Sequence, residues 1–371
     1  MPGPDDLKAV NERRLAARAQ CTRFLQGRPH RTPREQLEAL AASAEEPSSD
    51  FYAAGGDVTA LEVEVAGLLG KPAAAFVPSG TMAQQCALRV WSDRTGHRAV
   101  GVHALSHLVV HEEAALEELH GIRMRELADG PSPLVADDLA GHPGPLGALV
   151  VELPLRDAGY LLPSWDELVA LTGAARERGI AVHLDGARLW ESQPFYGRDL
   201  AEIAALADTV YVSFYKGLGA PAGAALAGPS DVVDEVRQWR HRHGGTLFSS
   251  MPYAVAARAG LRDRLGQFAE LHRLAGERAA AIGALEGVRV TPDPPHTNAF
   301  VIYADVEPQA LREACIAFAE AEQVWVLDWA TSAAVPGWSK VEFVVDVDHL
   351  DWSAEQAAAR VGQVLDLARR G

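Results

Sequence analysis

The sequence is short of lysine, cysteine and long apolar runs, and each shortage excludes something. Only four lysines occur in 371 residues (Lys8, Lys71, Lys216 and Lys340), so nearly all of the 34 basic residues are arginines. Where a plain positive charge suffices this chain writes arginine, so a lysine in an apolar setting calls for a chemical reason. Cys21, Cys86 and Cys315 are odd in number and far apart, which fits neither a disulfide framework nor a zinc site. A reducing cytoplasm is the expected home. No apolar segment reaches the ~18 residues needed to span a bilayer. The opening Met1-Pro2-Gly3-Pro4-Asp5-Asp6 is acidic and does not read as a secretory signal. Basic charge is in deficit too: the net charge of −16 makes nucleic acid and anionic membranes poor partners. A small-molecule substrate is the natural alternative.

What is present is ordinary globular composition, 48% hydrophobic and 23% charged, in a chain long enough for a large domain and a smaller one. Residues 6–26 and 33–44 read as polar helices broken at Gly27-Arg28-Pro29. The loop Glu46-Pro47-Ser48-Ser49-Asp50 leads to a helix over 59–69, with Thr59 as its N-cap. Short apolar strands follow at 73–77, 98–102, 148–153, 180–184 and 209–214. Helices at 81–90 and 165–178 lie between them, the second ending at Gly179. This alternation predicts an α/β fold whose mostly parallel sheet is covered on both faces. Beyond about residue 256 a long helical region (256–285) precedes strands at 297–303 and 341–345 and helices at 308–322 and 353–370. The expected organisation is an N-terminal helical segment (1–54), a large domain (55–255) and a smaller α+β domain (256–371).

Three segments carry chemistry. Lys216 follows the apolar strand Tyr211-Val212-Ser213-Phe214, where desolvation would leave a neutral amine able to form an imine. Ser213 could offer its hydroxyl to a phosphate. Alone, Lys216 reads more readily as a strand-end lysine reaching for solvent. Asp185 ends the strand Ile180-Ala181-Val182-His183-Leu184, and ligands of open α/β sheets bind at the carboxyl ends of strands. A pyridinium ring needs such a carboxylate to stay protonated and act as an electron sink; a helix N-cap is the plain alternative. Pro78-Ser79-Gly80-Thr81 opens a helix with small residues, an arrangement that presents free N–H groups to a phosphate or simply caps a turn. Together the three specify more than any one.

Phe76-Val77-Pro78-Ser79-Gly80-Thr81-Met82-Ala83, His183-Leu184-Asp185-Gly186-Ala187-Arg188 and Lys216-Gly217-Leu218-Gly219-Ala220-Pro221-Ala222-Gly223 resemble the signature of the threonine aldolase and β-eliminating lyase family in order and spacing. The resemblance runs from about Asp50 to Gly245 and more thinly to the C-terminus. It implies the aspartate-aminotransferase-like fold and pyridoxal 5′-phosphate as cofactor, with Lys216 as the Schiff-base residue. It also implies Asp185 on the pyridine nitrogen, Gly80 and Thr81 on the phosphate, Arg188 by the substrate carboxylate, and His107 stacked on the ring. A homodimer or homotetramer with shared active sites is expected. The implied reaction cleaves a β-hydroxy-α-amino acid to glycine and an aldehyde, with His107 or a water it orients as base. A metal site on His107 and His111, four residues apart, lacks a third ligand of suitable spacing.

The chain also departs from the family. Where the family carries Asn-Thr-His-Asn it reads Leu153-Pro154-Leu155-Arg156 after Glu152, so an active-site histidine is absent. Glu342 falls where an arginine grips the substrate carboxylate, and Phe248 where an interfacial arginine lies. Arg156 is the candidate to restore the first charge, and Arg242 or Arg240 the second. These changes leave the cofactor residues intact and open two alternatives with the same cofactor, β-elimination and a biosynthetic condensation. A dinucleotide enzyme, suggested by Gly217-x-Gly219, gives Lys216 no role. A non-catalytic member of the fold is the remaining alternative.

Overall fold

The computed structural model describes residues 4–29, 31–45 and 48–370; Met1–Gly3 and the Glu46-Pro47 step of the expected loop lie outside the described residues. By internal packing the chain forms two compact units, one spanning Gln36–Phe268 and the other joining the residues up to Glu35 with those from Ala269 onward.

The larger unit is built on seven strands: Ala73–Val77 (β1), Ala99–His103 (β2), Arg123–Ala128 (β3), Ala148–Glu152 (β4), Ala181–Gly186 (β5), Thr209–Ser213 (β6) and Ala224–Gly228 (β7). They lie in the order β1-β7-β6-β5-β4-β2-β3. β7 pairs antiparallel with both β1 and β6, and every other pair is parallel. Six strands therefore share a direction, as the alternating pattern predicts. β5, β6 and β7 are buried along their whole length, which explains their largely apolar sequences; the polar exceptions His183, Asp185, Thr209 and Ser213 all have hydrogen-bond partners. Between the strands run capped helices. Ser79 accepts from the Met82 N–H to open Gly80–Thr95, and Gly96 ends it at φ +74°. Ser164 and Glu167 form a capping box on Trp165–Glu177. Thr59, the expected N-cap, lies instead inside the helix Gly56–Leu68, its hydroxyl accepting from the Gly55 N–H at 2.9 Å.

Val77, Val90, Leu226, Val233 and Val236 pack on one side of the β1–β7 region, and Leu88, Val102, Leu108 and Val150 fill the space around β2 and β4. Because the six strands run the same way, their carboxyl ends open on one edge of the sheet. That edge carries Ser79, His107, Glu152, Asp185 and Lys216.

In the smaller unit a four-stranded antiparallel sheet runs in the order Thr331–Ser332, Ser339–Val344, Ala299–Ala304, Val288–Thr291. The helices Pro308–Glu322 and Ala354–Arg370 accompany it. The N-terminal residues belong here, unlike the separate segment expected over 1–54: Ala17 and Phe24 join Ile316, Ala319 and Trp325 in one cluster, and Arg23–Phe24 pairs with Val324–Trp325. The divide with the larger unit falls at Phe268/Ala269, later than the expected 255/256. The helical pattern of 256–285 conceals it, because only the short 3-10 turn Leu265–Gln267 interrupts the helices there.

Candidate active site

Asp185 and Lys216 leave the neighbouring strands β5 and β6. Asp185 is buried, with Oδ1 accepting from the Ala187 N–H at 3.1 Å and Oδ2 accepting from the Gln84 amide. Burial pushes its pKa up; Lys216, the Ala187 N–H and His107 oppose that rise. Lys216 stands in a turn closed by the Gly219 N–H on its own carbonyl, with Gly219 at φ +78°. Burial, then Arg188, lower its amine below the ordinary lysine value, against Asp185, Glu152 and Glu191. A depressed lysine among carboxylates means that loss of hydration outweighs attraction.

The N-terminus of Gly80–Thr95 faces the same edge. Its first-turn N–H groups have no helical acceptor by construction. A Cβ on Gly80 would run into the hydroxyls of Tyr211 and Tyr215, so only glycine fits between that backbone and the tyrosines. Ser79, Gly80 and Thr81 thus form a cradle of small residues at a helix dipole.

His107 opens the short helix His107–Val110 at the end of the β2 loop. Its Nδ1 lies 3.0 Å from Glu112 Oε1, and its backbone N–H donates to Glu152 Oε2 at 2.7 Å. Glu152 Oε1 accepts from the Arg156 N–H at 3.3 Å, so one carboxylate ties the segment of His107 to that of Arg156. Glu152 pairs in register with Asp185 across β4 and β5. Burial and that neighbouring charge push its pKa up to about 8 against the two N–H bonds. The Arg156 guanidinium reaches His111 Nε2 (3.5 Å) and lies 3.9 Å from Asp157. His111 pairs with Asp157 at 2.8 Å, and no cluster of three metal-ligating groups exists among the described residues. Arg188 extends over the face of Tyr160 at 5.4 Å and pairs with buried Glu191 at 3.5 Å. Glu191 also accepts from the Gly217 N–H at 3.1 Å, directly beside Lys216.

Two expected site residues are placed otherwise. Ser213 is buried and donates to the Ala187 carbonyl at 2.8 Å; its hydroxyl ties the end of β6 to the Asp185 turn instead of facing a phosphate. Arg242 is exposed and lies over Trp239 at 4.5 Å, while Arg240 is buried and donates to the Phe76 carbonyl at 2.6 Å. Phe248 forms an exposed trio with Phe51 and Tyr52, their rings 4.7–5.5 Å apart. Gln84, Glu112, Glu152 and Glu191 went unnoticed in the sequence. Glu152 carried the same signal as Asp185, an acid at the end of an apolar strand. Gln84 is a polar residue among Ala83, Cys86 and Ala87 on the buried side of its helix.

The site suits pyridoxal phosphate on the chemistry of its donors: an amine of lowered pKa, a buried carboxylate held as an acceptor, and a helix N-terminus without side-chain bulk. Ser106 Oγ, Glu112 Oε2, Arg188 Nε and Glu191 Oε2 around it are buried without a protein partner. Buried polar atoms are seldom left so except where a bound molecule or water completes them.

Comparison with known proteins agrees with this geometry. The profile of the beta-eliminating lyase family matches residues 32–307. Aldolase vrtJ of Penicillium aethiopicum is 32% identical over 74% of this chain and 71% of its own length. The low specificity L-threonine aldolase of Escherichia coli K12 is 31% identical over 65% of this chain and 73% of its own. A crystal structure from Exiguobacterium sp. 255-15, designated an aromatic amino acid beta-eliminating lyase/threonine aldolase, superposes with a TM-score of 0.89. It is 35% identical and covers 96% of this chain and 99% of that one. One from Listeria monocytogenes EGD-E, designated an L-allo-threonine aldolase, gives 0.88 at 35% identity, covering 97% and 99%.

Proposed function

The chain belongs to the beta-eliminating lyase family and is a threonine aldolase-like lyase, and from that premise we propose that it holds pyridoxal phosphate on Lys216 and cleaves the Cα–Cβ bond of a β-hydroxy-α-amino acid, giving glycine and an aldehyde. The observation that carries this reading is the pairing of partly buried Lys216 with buried Asp185 at adjoining strand ends. When bound, pyridoxal phosphate supplies an aldehyde for amines to join and a ring that accepts an electron pair.

The protein does the rest. Lys216, its pKa lowered by burial, gives up its proton more readily than an ordinary lysine and so can present a neutral nitrogen. Asp185 holds a proton at the ring nitrogen, and Ser79, Gly80 and Thr81 bind the phosphate. Because the Glu112 carboxylate can only accept, His107 donates from Nδ1 and keeps a lone pair on Nε2 to take the β-hydroxyl proton. Arg188, steered by Tyr160 and Glu191, binds the substrate carboxylate, and Arg156 adds a second positive charge.

The proposal includes a homodimer or homotetramer, supported by the exposed Phe51, Tyr52 and Phe248, and a cytoplasmic setting, supported by three free cysteines. No helix among the described residues is long and apolar enough to cross a membrane. Incubation with β-hydroxy-α-amino acids tests the reaction. Glycine with an aldehyde is expected; ammonia with the 2-oxo acid of the same carbon skeleton (pyruvate from serine) would move the assignment to β-elimination. That second reading draws on buried Leu155, which stands where the resemblance places a histidine.

A further inference from the structure

Behind Asp185 a buried hydrogen-bond chain runs away from the site into the core. The Trp91 indole N–H lies 3.0 Å from Thr209 Oγ1, which lies 2.9 Å from His183 Nδ1. His183 Nε2 is 2.6 Å from Gln84 Oε1, and the Gln84 amide nitrogen meets Asp185 Oδ2. Thr209, His183, Gln84 and Asp185 are all buried. The chemistry of the carboxylate end fixes the direction. An indole can only donate, and an ionised carboxylate can only accept. An Asp185 carboxylate that accepts at Oδ2 turns the Gln84 nitrogen toward itself and the Gln84 oxygen toward His183 Nε2. A neutral imidazole that donates from Nε2 accepts at Nδ1, so the Thr209 hydroxyl gives its hydrogen to His183 and takes the indole N–H on a lone pair.

We propose that Trp91, Thr209, His183 and Gln84 form a one-way donor chain that couples the tautomer of His183 to the charge on Asp185, with Gln84 and His183 as positioning residues for that carboxylate. The inference rests on the reading of Asp185 as the partner of the cofactor ring nitrogen. Its purpose follows from the surroundings: burial drives Asp185 toward its neutral form, and a donor delivered to Oδ2 counters this. Burial also keeps His183 uncharged, its pKa lowered to about 3, so the ring has one proton to place and two nitrogens to choose between. Reversing the chain would require a proton on Asp185 Oδ2.

The Asp185→Asn variant forces that reversal. The Ala187 N–H still takes the oxygen at Oδ1, so the new NH₂ faces Gln84. Gln84 must then present its oxygen to it and its nitrogen to His183, moving the ring proton to Nδ1. The experiment is ¹⁵N NMR of the full-length protein with ring-labelled histidine at mildly alkaline pH, the His183 signals being assigned by their loss in His183→Gln. The expected result is an Nε2–H tautomer in the unaltered protein and Nδ1–H in Asp185→Asn. With Gln84→Leu in both backgrounds, changing residue 185 should no longer move the His183 signals. An Nδ1–H tautomer in the unaltered protein, or the same tautomer in Asp185→Asn, would overturn the proposal. Should Asp185→Asn not fold, Gln84→Leu alone should bind pyridoxal phosphate about tenfold more weakly, and unchanged affinity would overturn it. Full cofactor affinity in Asp185→Asn would instead refute the role given to Asp185, leaving the tautomer result intact.

Discussion

His183 sets a limit on how acid a solution this fold tolerates, and the size of the effect follows from its surroundings. The ring is wholly buried, and burial alone takes its pKa from 6.5 to about 3. Protonation would not cost partners, since an imidazolium would still donate to Gln84 and Thr209; it would place a charge where there is no water. A base with a depressed folded pKa contributes stability that is present above its unfolded pKa and lost as pH falls through the folded one. The window therefore runs from pH 6.5 down to about 3. At about 1.36 kcal/mol per unit the full loss is on the order of 5 kcal/mol, with about half reached near pH 4.5. Asp185 and Glu152, whose pKa values are raised, act in the opposite direction, so the effect of His183 is read by difference. Urea unfolding of the unaltered protein and of His183→Gln, stepped down from neutral pH, makes the comparison. The variant lacks the ring's bonds and is the less stable at neutral pH; the two stabilities should converge as pH falls. A gap that stays constant to about pH 4 would refute the reasoning.

Other outcomes follow from the site. Gly80→Ala should destabilise by about 1–3 kcal/mol in a denaturant melt, through collision with the Tyr211 and Tyr215 hydroxyls. It should also weaken cofactor binding, measured by titration. Arg188→Lys, which keeps a charge for Glu191 but loses the planar fork, should raise KM about tenfold with a smaller change in kcat in steady-state assays. Glu112→Leu should lower kcat on the order of tenfold at nearly constant KM, because His107 loses the acceptor that fixes its tautomer. Arg242→Ala, altering only the exposed contact with Trp239, should leave cofactor affinity unchanged.

The parts of the fold that rest on local pattern were legible in the sequence. β1 and the helix Pro308–Glu322 lie where expected, and Asp185 and Lys216 meet at one sheet edge because both follow apolar strands of a parallel sheet. What escaped has physical reasons. β3 is an edge strand of alternating charge, Arg123-Met124-Arg125-Glu126, and β7 is mostly alanine, so neither shows the β-branched signature of a buried strand. Ser213 looked like a phosphate ligand because its spacing from Lys216 is right. Its hydroxyl direction is decided by the Ala187 carbonyl in the turn after the neighbouring strand β5, which no local pattern reveals. Arg242 and Arg240 lie two residues apart on one helix yet meet different surroundings, solvent beside Trp239 and the Phe76 carbonyl. Gln84 and Glu191 reach partners far away in sequence, and Glu112 meets His107 only through the turn of the loop between them, the kind of information that composition and period do not carry.

The visible absorption spectrum of the purified protein, taken before and after borohydride reduction and followed by peptide mass mapping, tests the central claim most directly. The account predicts a yellow protein whose reduced cofactor is found on the peptide containing Lys216. A protein that stays colourless and unlabelled after addition of pyridoxal phosphate, or that carries the label on Lys71 or Lys340, would contradict it.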